Sequence, residues 1–309
     1  MKKIILGPKR GKVKISKDYQ YVGLIFISPW ILGFLIFQLF PLISSLYYSL
    51  TSYNMMKAPA FVGMDNYVRA FTSDAKFQQS LGVTFLYVGI SVPLKLMVAL
   101  GIAMLLNMKT RFIAFFRTVY YLPSIMGASV AVAVLWRFLF TREGYVNNLL
   151  SIVGIAGPDW IGDMRTALFT ISLLTVWQFG SSMVLFLAGL KNIPSELYEA
   201  ARIDGANRIR TFFKITFPML SPIVFFNLVM QLIGGFQDFT PAMLITKGGP
   251  ANSTYLYGML LYENAFKFYK MGYASALSWI LFIIMIIITA FLFRSSDAWT
   301  HYEDGGRGA

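Results

Sequence analysis

Two sets of polar residues stand out against an otherwise apolar chain. The first lies inside hydrophobic runs: Trp177, Gln178, Phe179 and Ser182 in one, and Asn227, Gln231, Phe236, Gln237 and Asp238 in another. Polar side chains at mid-bilayer depth are costly unless they face a cavity or one another. These positions are therefore candidate ligand contacts, with interhelical hydrogen bonding as the competing role. The second set lies between two hydrophobic runs, from Glu199 to Pro218, and carries Glu199, Arg202, Asp204, Arg208, Arg210 and Lys214 around a glycine at 205. A charged, helix-forming loop of this kind suits docking to a partner outside the bilayer. Bond-making chemistry has little to draw on. The absence of cysteine removes thiolate metal sites and cysteine nucleophiles, and the one histidine, His301, stands in a charged tail. No Gly-x4-Gly-Lys-Ser/Thr loop is present to cradle a nucleotide phosphate, and no carboxylate pair is placed as in a glycosidase. The expectation is a non-enzymatic chain that binds and moves its ligand.

The elements that position these residues follow from composition. Of 309 residues, 57% are hydrophobic and 13% charged, with a mean hydropathy of +0.61. That exceeds what one soluble core needs and predicts an all-α integral membrane protein. Six spans are expected, at about Val22–Leu46, Gly82–Leu106, Val119–Phe138, Leu168–Leu190, Leu220–Leu244 and Ala274–Phe293. No lasting period-2 alternation suggests a β-barrel. Seven Lys/Arg precede the first span, which is long and lacks a small-residue cleavage site, so it reads as a retained anchor. With both termini inside, 17 Lys/Arg fall on the inner side and 9 on the outer, leaving Lys95 within a span. The positive-inside rule favours this orientation and places Glu199–Pro218 in the cytoplasm. The basic excess is thus accounted for by topology, and no nucleic-acid partner is expected. One domain is read: a basic segment 1–20, a transmembrane body 21–295 containing the loop 191–218, and a tail 296–309. Loop turns such as Gly157-Pro158 and Gly248-Gly249-Pro250 are either connectors or a lip for another protein.

Within the polar loop, Ser195 is expected to cap a helix beginning at Glu196, whose acidic first turn suits the helix dipole. Gly205 permits a turn, and Ile209, Phe212, Phe213 and Thr216 recur at the spacing of a second helix. Pro218 and Pro222 mark the start of the fifth span. Such an element either inserts into a cleft of another protein or lies on the inner leaflet as an amphipathic connector.

The spacing of Glu199, Ala200, Ala201, Gly205, Ile215, Phe217 and Pro218 resembles the EAA-loop pattern of type I ABC importer permeases, with Phe217 where leucine is usual. Pro41, Asn66-Tyr67, Pro93, Arg117-Thr118, Leu122-Pro123, Trp136 and Gly248 to Thr254 are similar to the carbohydrate uptake subfamily, which includes permeases for maltose, oligosaccharides and glycerol phosphate. The resemblance spans roughly residues 20 to 295. It implies a multi-pass subunit of the cell membrane, paired with a second, different permease subunit. Two separate ATPase subunits would bind ATP and Mg, leaving this chain without a cofactor or metal, and an extracytoplasmic solute-binding protein would deliver a sugar. It further implies ATPase coupling through Glu199, Ala200, Ala201, Asp204 and Gly205. Sugar would be held by aromatic faces and by amide or carboxylate partners in the fourth and fifth spans. Lys95, beside Pro93, either snorkels, neutralises Asp238 or meets an anionic substrate, the first two being structural. A glycerol phosphate or other polyol cargo would favour basic cavity residues. An ion-coupled carrier would need no ATPase but would be expected to show a half-to-half repeat, and none is found.

Overall fold

The computed structural model describes residues 17–108, 112–127, 129–296 and 299–300. The basic head up to Lys14, Lys109, Arg111 and His301 lie outside the described residues. Helices dominate, and extended pairing among the described residues is confined to two isolated bridges, Thr51 with Phe61 and Asn54 with Lys57. Helix α1 (Lys17–Phe34) runs through a π-helical turn, Leu35–Leu39, into α2 (Phe40–Ser49). Its apolar stretch Gly23–Ser49 has 27 residues, about 40 Å at 1.5 Å per residue and more than the ~30 Å hydrocarbon layer. Short α3 (Asp65–Thr72) precedes α4 (Ala75–Asn107). The start of α4 is fixed by Asp74, whose Oδ1 accepts from the backbone N–H of Lys76 and Phe77 at 3.0 and 3.3 Å.

The third expected span is two helices, α5 (Ile113–Met126) and α6 (Val130–Leu139), set at 104° to one another. Gly127, at φ +53°, provides the left-handed step at the corner. After α7 (Tyr145–Ile152) the fourth span is also broken, into α8 (Ala167–Trp177) and α9 (Gly180–Asn192) at 49°. Thus, among the described residues, four helices are long and apolar enough to cross a bilayer, and up to six spans result when each bent pair is counted as one. The remaining α-helices among the described residues are α10 (Ser195–Ile203), α11 (Arg208–Thr211), α12 (Phe217–Gln237), α13 (Tyr257–Tyr262) and α14 (Met271–Ser296). A π turn, Phe212–Thr216, joins α11 to α12. Helicity therefore extends below Leu220, giving one 39-residue span, Arg208–Thr246, interrupted only at Asp238–Phe239. Pro218 falls in the first turn of α12, where its missing N–H costs little.

Helix α4 is the hub: α8, α9, α12 and α13 all pack on it, while α14 packs on α2. The centre is filled by fully buried Tyr87, Ile171, Met183, Phe186, Leu220 and Leu277. The outside of the bundle is apolar as well, with Phe26 83% and Phe37 78% exposed. That inversion of the soluble pattern is what a lipid-facing surface requires.

Candidate functional site

The charged loop folds as a V. Helix α10 ends where Gly205 takes φ +71°, and the N–H groups of Gly205 and Ala206 bond back to the carbonyls of Arg202 and Ala201 at 3.1 and 2.9 Å. This C-terminal cap needs a left-handed residue, which glycine supplies without strain. Asn207 then opens the second arm, its Oδ1 accepting from the N–H of Arg210 at 2.8 Å. The expected Ser195 cap is corrected: Ser195 is itself the first helical residue, and no side chain caps that end. The extended Pro194 before it leaves the serine one position too late for capping. The arms are held together by Tyr198 Oη and Thr216 Oγ1, 3.1 Å apart. Between them lies a groove of about 350 Å³ bordered by Ala200, Ala201, Asp204, Arg210 and Lys214. Glu199, Ala200, Asp204 and Gly205 are exposed and Ala201 is buried. Ile203 and Ile209, 86% and 70% exposed, stand on either side of the bend as bare apolar knobs. A charged rim, small alanines and two knobs make a surface that a cleft can grip.

The second group is a polar layer where the helix breaks meet. Tyr87 Oη donates to Asp238 Oδ2 at 3.0 Å and lies 2.6 Å from Thr175 Oγ1. One hydroxyl on α4 therefore ties the end of α12 to the end of α8. The second break is stitched to the first: Ser124 Oγ donates to the Gln178 carbonyl at 3.0 Å and accepts from the Ser181 N–H at 3.1 Å, and Gln178 Nε2 donates to the Gly127 carbonyl at 3.1 Å. Backbone groups released by a broken helix in lipid must find such partners. Gly180 makes the approach possible, because a Cβ there would sit 2.7 Å from the Tyr120 carbonyl oxygen. Further along, Gln231 Nε2 donates to Ser182 Oγ at 3.1 Å.

The layer divides the sequence candidates into two kinds. Trp177, Gln178, Gln231 and Asp238 are half-buried and Gln237 is exposed, bordering an apolar cavity of about 530 Å³ between α12 and α14. Phe179, Ser182, Asn227 and Phe236 are buried. Phe179 packs near Tyr120, Asn227 donates to its own helix at the Ile223 carbonyl, and Phe236 meets Phe85 edge to face at 5.0 Å. Trp177 faces Trp136 at 6.1 Å. Lys95 is buried and makes no ion pair with Asp238. Tyr87 and Thr175 are absent from the sequence candidates. A signal for the first existed, since Ser80, Thr84, Tyr87, Ser91 and Lys95 repeat at three- or four-residue spacing down α4 and are all buried.

Over residues 81–301 the chain matches the family described as the binding-protein-dependent transport system inner membrane component. It is 52% identical to the probable ABC transporter permease protein YesP of Bacillus subtilis (strain 168), with 94% of each chain covered. It is 35% identical to the lactose transport system permease protein LacF of Rhizobium radiobacter, covering 90% of this chain and 94% of that one. Among solved structures, a chain of a bacterial ABC transporter involved in the import of the acidic polysaccharide alginate superposes with a TM-score of 0.76 at 23% identity, over 92% of this chain and 98% of that one. The protein therefore belongs to the inner membrane components of binding-protein-dependent transport systems, and it is a multi-pass permease with that fold.

Proposed function

We propose that the chain is the permease subunit of an ATP-driven importer that takes up a sugar or oligosaccharide. The observation that carries the reading is the continuous helical rod from Arg208 to Gln237, which joins the α10–α11 V directly to the break at Asp238. Thirty residues of helix transmit about 45 Å along one stiff element. Glu199 and Asp204 meet the ATPase cleft, Ala200 and Ala201 allow close approach, and Gly205 holds the bend. The ATPases are separate chains that bind ATP and Mg, and this chain carries no cofactor. A second permease subunit of different sequence completes the pathway, and a solute-binding protein, consistent with the family's description, supplies the cargo from outside. Both termini face the cytoplasm.

For the cargo, Trp177, Gln178, Gln231, Gln237 and Asp238 meet the sugar, and buried Phe179, Ser182, Asn227 and Phe236 support them from behind. The 35% identity to a lactose permease supports a sugar. A glycerol phosphate cargo fits less well, because the layer presents a carboxylate and amides. Family membership speaks against an ion-coupled carrier. Glu199→Lys in the reconstituted complex is expected to abolish ATP-driven uptake while leaving membrane insertion intact; normal uptake would remove the coupling assignment. Trp177→Ala and Gln237→Ala are each expected to weaken sugar-stimulated ATP hydrolysis several-fold, and unchanged stimulation in both would remove the cargo surface.

A further inference from the structure

The end of the molecule opposite the α10–α11 V carries a second polar pocket, of about 230 Å³, where α3, the start of α4 and the segment after α13 converge. Arg69, Lys76 and Lys270 border it with Asp74. The carboxylates of this region are already engaged. Asp74 uses Oδ1 to cap α4 and accepts from Tyr273 Oη on Oδ2 at 2.7 Å. Glu263 accepts from Tyr255 Oη at 2.6 Å and pairs with Lys267 at 3.2 Å. Burial pushes the Glu263 carboxyl up, but the Tyr255 hydrogen bond and Lys267 together hold it below the usual carboxylate range. Among the described residues Lys267–Glu263 is the one ion pair, so Arg69, Lys76 and Lys270 have none there. Nor are these cations loose. Arg69 lies over the Tyr273 ring at 4.5 Å, Lys76 over Tyr255 at 5.5 Å and Lys270 over Phe268 at 5.6 Å.

Three exposed cations fixed on aromatic faces around a hollow, with the nearby carboxylates occupied, form a host for one anionic group. We propose that this pocket seats an acidic side chain of the solute-binding protein and so sets where that protein docks. The inference rests on the importer reading above and deepens it. Position argues for this occupant: α12 begins at the V, and its continuation through Thr246 leads to Gly248, which lies against the ring of Tyr255 at the border of the pocket, so the pocket faces the side from which cargo arrives when the V faces the ATPases. Charge complementarity at such a rim governs encounter rate and salt dependence more than buried area does.

The test uses the complete transporter in lipid nanodiscs with its purified, solute-free binding protein, comparing wild type with the triple variant Arg69→Gln, Lys76→Gln, Lys270→Gln and with the single reversal Lys76→Glu. Docking affinity is read at about 50 and about 300 mM NaCl, which spans the range where screening of exposed charges changes most. Wild-type docking should weaken at the higher salt. The triple variant should dock about tenfold or more weakly at low salt and lose most of the salt dependence, with basal ATP hydrolysis unchanged as the sign of an intact fold. Equal affinity and equal salt dependence in wild type and triple variant would overturn the inference while leaving the importer reading standing. A wild-type complex that ignores its binding protein altogether would overturn both. Normal docking by the variant together with loss of sodium galacturonate binding would assign the pocket to a free anionic solute and overturn the proposal.

Discussion

Tyr87 is the residue on which the polar layer turns. Its hydroxyl serves Asp238 and Thr175 together, on two different helices. Tyr87→Phe keeps the ring and removes the donor, leaving a carboxylate short of a partner in a low-dielectric setting. Losing a hydrogen bond to a charged group costs about 1.5–3 kcal/mol, so thermal unfolding of the solubilised protein should occur several degrees lower. Thr175→Val should cost less, and the double variant should fall short of the summed effects because the residues share one network. An unshifted transition in Tyr87→Phe would mean that the bond holds nothing. The sequence made Asp238 legible, since a lone carboxylate in an apolar run is conspicuous, but not its partners. A hydroxyl in a membrane helix commonly bonds a carbonyl one turn back, as Thr84 does to Ser80, so its presence does not reveal a second contact. Only the packing shows that Thr84 also accepts from the Tyr257 N–H at 2.8 Å.

At the scale of elements, the number and placement of the apolar runs were legible, and their shape was not. Hydropathy registers length and is blind to direction. Proline, the usual breaking signal, points elsewhere: Pro93 and Pro222 lie inside continuous helices, while the fourth span breaks at Gln178–Phe179. What breaks that span is a tertiary fit, with Gly180 pressed against α5 and Ser124 taking over the freed backbone groups. The fit makes a prediction. Gly180→Ala should force α9 away from the Tyr120 carbonyl and cost about 1–3 kcal/mol, as overpacking does, with a parallel loss of transport. Gly82→Ala, where an added Cβ meets nothing within 4 Å, is the matched control. Equal stability of the two variants would show that the crossing is loose. The coupling V is the converse case. Its glycine bend was readable because φ +71° is a demand that one residue type meets cheaply, whereas the Ser195 cap failed because the start of α10 depends on Pro194, one position earlier.

For the whole molecule, the proposal requires a direction across the membrane, and here charge and fold support one another. Counting Lys/Arg puts 17 on the side of the V and 9 on the other. Among the described residues the fold sets the two ends apart, because α4 begins beside the cationic pocket at one face while α10 and α11, which lead into α12, sit at the other. The absence of cysteine makes the direction open to a clean measurement, since any thiol introduced is the only one present. Thr141, in the turn after α6, and Ser195, at the start of α10, are both exposed. With the V in the cytoplasm, Thr141→Cys in intact spheroplasts should react with a membrane-impermeant maleimide, and Ser195→Cys should react only after permeabilisation. Single-site labelling reports topology without requiring transport, so it stays informative even if cargo or partner assignments fail. The reverse pattern would place the V outside the cell, beyond reach of a cytoplasmic ATPase, and would remove the coupling mechanism whatever the fate of Glu199.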